Sequence, residues 1–222
     1  MTQRIYMACL ASYNNGRLFG EWIDASADVA EMQAKVSAML ARSPNPIVIR
    51  ATYHCADCEE SRIRTQGYSA DLPATIECEE CGEAAPMLGK PYPSAEEWAI
   101  HDHEGLGDLG EYSGLDAVAK RFAFAELAED RDIPLPVILD AMQGEDIDAD
   151  DAESWLDERY RGTADSWADF AQEFTEETHD MREIPEWLQG HIDWQSVGRD
   201  FEISGDFSGH RHNGTIYIFW NH

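Results

Sequence analysis

The sequence predicts an α+β fold: a small N-terminal antiparallel sheet with a helix, a cysteine-bearing module, an acidic helical middle, and C-terminal helices closing on antiparallel strands. Three observations predict it. Short β-type runs at 4–11, 17–24 and 47–53 surround a single helical stripe. Two C-x2-C pairs stand 19 residues apart in a stretch bounded by Pro86, Gly89, Pro91 and Pro93. Beyond Gly114 the pattern turns helical until a last hairpin. With 222 residues, 43% of them apolar, the chain can bury a real core and is no disordered acidic tail.

Residues 4–11 (RIYMACLA) read as a strand, and Asn14-Asn15-Gly16 supplies turn chemistry before a second run at 17–24. A helix follows from about Asp28 with Ser26 as its N-cap. Val29, Met32, Val36, Met39 and Leu40 recur at the spacing of a core-facing stripe. Pro44-Asn45-Pro46 ends it, and IVIRATY at 47–53 reads as another strand. Ser94-x-x-Glu97 matches a capping box, yet the following WAIHD is equally good strand material, so both readings stand. Helices are expected near 114–129, 134–143, 148–161, 163–180 and 185–199. The closing hairpin is expected at roughly 200–206 and 215–220, around Gly209 and Asn213-Gly214. This divides the chain into an N-terminal α+β domain (1–46), an inserted module (47–93), a central mainly helical domain (94–145) and a C-terminal acidic α+β domain (146–222).

Forty-four acidic residues face 16 basic ones, for a formal charge of −28 and a pI near 4.3. Such a surface repels nucleic-acid phosphates and anionic membranes and attracts basic proteins. The charge is unevenly placed. Residues 1–50 hold five basic and four acidic side chains, 51–93 hold three and eight, and 94–222 hold eight and 32. The opening MTQRIYMACLASY lacks the apolar region of a signal peptide and no 18-residue apolar run occurs, so a soluble, cytoplasmic protein is expected.

Cys55-Ala-Asp-Cys58 and Cys78-Glu-Glu-Cys81 are paired knuckles. Tetrahedral Zn2+ takes four thiolate donors, and this spacing fits a zinc ribbon. Structural Zn2+ is the first reading; a rubredoxin-like iron site and free or disulfide-linked cysteines are the others. The module holds only Arg62, Arg64 and Lys90 against eight carboxylates, which favours stabilising a small insertion, or presenting a protein-binding surface, over contacting nucleic acid. Cys9, alone in an apolar run, reads as a buried core thiol.

Other matches are turned down. Gly105-x-Gly107-x-x-Gly110 fits the dinucleotide fingerprint by letter, but no buried parallel strand precedes it and Glu104, Asp108 and Glu111 would repel a pyrophosphate, so it reads as a flexible loop. His101-x-His103, with Asp102 and Glu104, and the pair His210 and His212 are weak metal candidates. No nucleophile elbow, P-loop or H-E-x-x-H occurs, and nothing argues for catalysis.

The acidic helices carry the sharpest signal. Asp165, Asp169, Glu173, Glu176 and Asp180 follow spacings of 4, 4, 3 and 4, one sector of about 80° on a helix, with Trp167, Phe170, Phe174 and Met181 opposite. One segment earlier, Asp150, Glu153 and Asp157 line one face while Ala152, Trp155, Leu156 and Tyr160 form the apolar stripe. Like charges at these spacings cost about 0.2–0.5 kcal/mol per pair, and no Lys or Arg lies between Asp165 and Met181 to relieve them. Tolerating that cost fits a face whose negative potential is its function. B-DNA carries one charge per ~1.7 Å of axis, so 28 charges match roughly 50 Å of duplex and a dimer's 56 about 95 Å.

The stretch 5–25 (IYMACLASYNNGRLFGEWIDA) resembles the opening of the ArdA-type antirestriction proteins, AEEWAIHDHEG (95–105) their central signature, and IYIFWNH (216–222) their closing strand. LDERYRG (156–162) and IPEWLQGHID (184–193) are similar to family segments between them. The resemblance covers about 1–46 and 94–222 and implies an elongated, modular α+β DNA mimic in the bacterial cytoplasm. Such proteins are carried on mobile genetic elements and evade host defence. They occupy the DNA-binding groove of type I restriction-modification enzymes and dimerise through the C-terminal region, with no catalysis. Other DNA-binding defence proteins are further potential partners, and no direct nucleic-acid or membrane binding is implied. The module at 47–93 departs from the family pattern. An acidic adaptor that binds a protein through the zinc ribbon is the alternative reading, and a metal enzyme built on His101 and His103 the third.

Overall fold

A computed structural model of the chain describes residues 2–67, 71–145 and 147–221. Asp146, where the C-terminal domain is expected to begin, and His222, the last residue of the closing stretch, lie outside them. The chain forms two compact units, up to Phe122 and from Ala123 onward. The architecture is mixed α and β with small antiparallel sheets, as the sequence predicts.

In the first unit, β1 (Arg4–Cys9) is the centre of a three-stranded sheet. A short helix, α1 (Leu10–Asn14), takes over where the sequence suggested two more strand residues. Gly16, at φ 73°, completes the turn towards β2 (Gly20–Asp24). Helix α2 (Val29–Ala41) buries Met32, Val36, Met39 and Leu40 as its stripe requires. Its N-cap is Asp28, whose carboxylate accepts from the Glu31 amide; Ser26 instead accepts from the Asp28 amide one step upstream. Cys9 is fully buried, its Sγ 3.2 Å from Ser43 Oγ.

β3 (Val48–His54), β4 (Ser61–Gly67), β5 (Thr75–Glu77) and β6 (Ala84–Ser94) form a separate sheet in the order β4-β3-β6-β5. Val48 pairs with Ser94, so the sheet begins and ends on neighbouring residues. The chain then returns to the first sheet as β7 (Trp98–Glu104), antiparallel to β1, which decides between the two readings of 94–104 in favour of a strand. The glycine-rich stretch that follows is a loop, as expected, and Leu106 and Leu109 anchor it in the same core as Met7, Met32 and Ile100. Its Gly105 and Gly107 have positive φ, which the turns of the loop require.

Helix α3 (Leu115–Asp130) leads into the second unit, followed by α4 (Leu135–Ala141) and α5 (Ala149–Arg159). Tyr160 leaves the helix and opens a strand absent from the sequence reading, β8 (Tyr160–Ala164). Helix α6 (Trp167–Thr178) is shorter at both ends than expected. The stretch 185–199 does not form one helix either. A 3₁₀ turn (Met181–Glu183) and the four-residue α7 (Glu186–Gln189) precede α8 (Trp194–Ser204). α8 occupies most of the span assigned to a strand at 200–206, and Gly205, left-handed at φ 83°, ends it. The hairpin is β9 (Phe207–His212) and β10 (Thr215–Trp220) around Asn213-Gly214, both with positive φ, and the sheet order is β8-β10-β9. Among the described residues no helix is long and apolar enough to cross a membrane.

Candidate functional site

Two features of the chain bear on function: a thiol cluster in the first unit and an acidic surface in the second.

Antiparallel pairing of β3 with β4 and of β5 with β6 brings the two knuckles together, because each C-x2-C pair sits just past the end of one strand. The Cys55 amide donates to Glu60 O and the Cys78 amide to Glu83 O, closing two equivalent turns. Positive φ at Glu59 (56°) and Gly82 (77°) lets the chain double back there. The four Sγ atoms lie within 4.8 Å of one another, with Cys58 at 3.5 Å from Cys55, 3.6 Å from Cys78 and 3.3 Å from Cys81. These separations far exceed a disulfide bond and match the edges, about 3.8 Å, of a tetrahedron with metal–sulfur bonds of about 2.3 Å. The Cys81 and Glu80 amides donate to Cys78 and lower its pKa to about 7, whereas shared hydrogen bonds with Cys81, Cys55 and Cys78 push the Cys58 thiol well up. The donor set therefore fits a tetrahedral, thiolate-preferring metal ion. The base is a small core of Ala51, Tyr53 and Ala85, and Arg62 and Arg64 reach across to Glu79 and Glu80 on the second knuckle.

Among the described residues this is the one group of three or more His, Cys, Asp or Glu side chains placed to share a metal. His101 and His103 do not join it. His101 lies edge-on to Tyr13 and 3.7 Å from Glu111, in a polar pocket of about 430 Å³. His210 donates from Nδ1 to the Asp140 carboxylate at 2.6 Å and packs edge-on against Phe219, which makes it a structural contact.

In the second unit the eight carboxylates singled out from the sequence, Asp150, Glu153, Asp157, Asp165, Asp169, Glu173, Glu176 and Asp180, are all exposed, but they do not form two uninterrupted rows. Ser166 caps α6 by accepting from the Asp169 amide, which places Asp165 ahead of the helix. Asp180 lies beyond it, caps the 3₁₀ turn and pairs with Arg182, which holds its carboxyl below the usual range. Within the helix, Asp169, Glu173, Glu176 and the unanticipated Glu177 make three like-charge pairs, worth about 1 kcal/mol in repulsion. Opposite them Trp167, Phe170 and Ala171 are buried. Phe170 and Phe174 join Phe201 and Phe207 in a ring cluster with centroids 5.1–6.1 Å apart. On α5 the row is partly balanced. Arg131, just past α3, reaches both Glu153 (2.8 Å) and Asp157, a pairing between residues more than 20 apart that spacing within one segment cannot reveal.

The profile of a protein family described as antirestriction protein (ArdA) matches residues 5–214. The chain belongs to the ArdA antirestriction family. The match takes in both units, and it spans the cysteine module as well as the flanking segments that carry the resemblance. Comparison with curated proteins finds no match. Membership in ArdA implies an antirestriction function and leaves the acidic surface and the thiol cluster to be argued from their own geometry.

Proposed function

We propose that the protein blocks type I restriction-modification enzymes by occupying their DNA-binding groove in place of DNA, without catalysis, and that its dimer extends the charge array. The observation that carries this is α6: four exposed carboxylates on a helix whose opposite side is locked into an aromatic core. Fixed negative charge on a rigid backing is what a groove built for phosphates accepts. Antirestriction membership supports the same target class. The partial neutralisation of α5 by Arg131 puts the weight on α6 and its flanks.

We further propose that Cys55, Cys58, Cys78 and Cys81 hold a structural Zn2+. The ion would tie the two knuckles to one another and supply folding energy to a sheet with only a small apolar core.

The test is a cleavage assay on unmodified DNA with a purified type I enzyme. Wild-type protein should protect the DNA. A variant with Asp165, Asp169, Glu173, Glu176 and Glu177 changed to Asn or Gln should protect it at least tenfold less well, while single changes do little because the energy is spread over many charges. Full protection by the quintuple variant would sink the proposal.

A further inference from the structure

Between α6 and α8 the chain builds a ledge that serves neither the core nor the sheet. Gln189 braces it from inside, its side-chain amide donating to Met181 O and to Ile184 O, both at 2.9 Å. Asp180 fixes the start through the Arg182 amide and guanidinium, and the Leu188 and His191 amides close successive turns on Pro185 O and Leu188 O. On this braced ledge stands Trp187, 72% exposed, beside Leu188 at 38%. It is the most exposed tryptophan of the chain; the next, Trp22, is at 38%. Among the described residues no ring packs on Trp187. The short segment that carries it is acidic: Asp180, Glu183 and Glu186 are all exposed, and its one arginine, Arg182, is already committed to Asp180. Glu183 and Glu186 have no ion-pair partner among the described residues.

A large exposed apolar ring on a hydrogen-bonded segment, flanked along the chain by the unpaired Glu183 and Glu186, has a definite complement. The flanking carboxylates favour a cationic partner, and the indole face offers what a plain carboxylate row cannot, a surface on which a guanidinium stacks. We infer that Trp187 is an aromatic anchor that seats against an arginine of the cationic groove engaged by the acidic surface. This inference rests on the groove-binding reading above. The division of labour follows from the physics of interfaces. Exposed charges steer encounter and set the salt dependence, whereas a desolvated aromatic at the centre of a contact contributes affinity that salt hardly screens.

The experiment measures affinity for a purified type I restriction-modification enzyme across a salt series, with light scattering on each variant alone. Trp187→Ala should weaken binding about ten- to thirtyfold at every salt concentration with the slope of log affinity against log salt unchanged. Trp187→Phe should restore most of the loss. Glu183→Gln with Glu186→Gln should do the opposite, flattening the slope with a smaller loss at high salt. Since Trp187 is exposed, none of these changes touches the core. If wild-type binding is salt-dependent and Trp187→Ala binds like wild type, the anchor is disproved and the acidic-groove reading stands. If wild-type binding ignores salt, that reading falls and this inference with it. A shift of Trp187→Ala alone to a smaller oligomer would assign the residue to self-association and overturn the inference.

Discussion

Gly198 shows how a single residue can decide a packing that no sequence pattern announces. It lies in α8 where a Cβ would meet the Trp167 carbonyl carbon and oxygen at 2.5 Å, so α8 touches the start of α6 backbone to backbone. Gly198→Ala should lower stability by about 1–3 kcal/mol despite the helix-propensity gain of about 1 kcal/mol, read as a lower thermal midpoint. From the sequence alone Gly198 is only a weak point in a helix. Arg131 is similarly illegible, since its partners Glu153 and Asp157 come from another helix. Arg4 and Glu104 pair across β1 and β7, and the Arg4 hydrogen bond holds the Glu104 carboxyl below its usual range. A carboxylate whose folded pKa is depressed contributes stability above its unfolded value, near 4.3, and loses it as pH falls through the folded value. Arg4→Gln should therefore remove part of the acid-side loss of stability and leave the neutral-to-basic side flat in pH, a small effect because both groups are exposed.

Among the elements, those whose pattern repeats over several turns were readable, and those set by partners were not. The stripe of α2 and the spacing of the knuckles are local, and each appears where the residues place it. β8 was hidden because YRGTA is too short to show alternation and is drawn into a strand only by pairing with β10. α6 was overextended because carboxylate spacing continues through Asp165 and Asp180, although Ser166 caps the helix after the first and His179 leaves it before the second. The knuckles supply the test at this scale. Cys58→Ser or Cys78→Ser should abolish bound metal and open residues 55–81 to protease, while the aromatic cluster of α6 and α8 keeps its near-ultraviolet signal. Retention of one metal per chain in both variants would remove the thiol site from consideration.

Over the whole molecule the charge follows the units. The chain from Ala123 onward holds 25 acidic and six basic residues, the chain before it 19 and ten. That unevenness was legible in the composition; the aromatic core that keeps the carboxylates fixed was legible only as a stripe. Binding to a DNA-directed enzyme should weaken as salt rises, with a slope shallower than that of DNA itself because separated carboxylates condense fewer counterions. A titration at several ionic strengths checks it. A different property follows from the way the module's sheet closes. Val48 and Ser94 face one another, and the Ile47 amide donates to Ser94 O at 3.0 Å, so the chain enters and leaves this sheet at one point. Replacing 48–94 by one tight turn should leave β1 and β7 in register, checked by the thermal midpoint and circular dichroism of the shortened chain. The module is in that sense an appendage with its own small core, hung from the first unit at a single point.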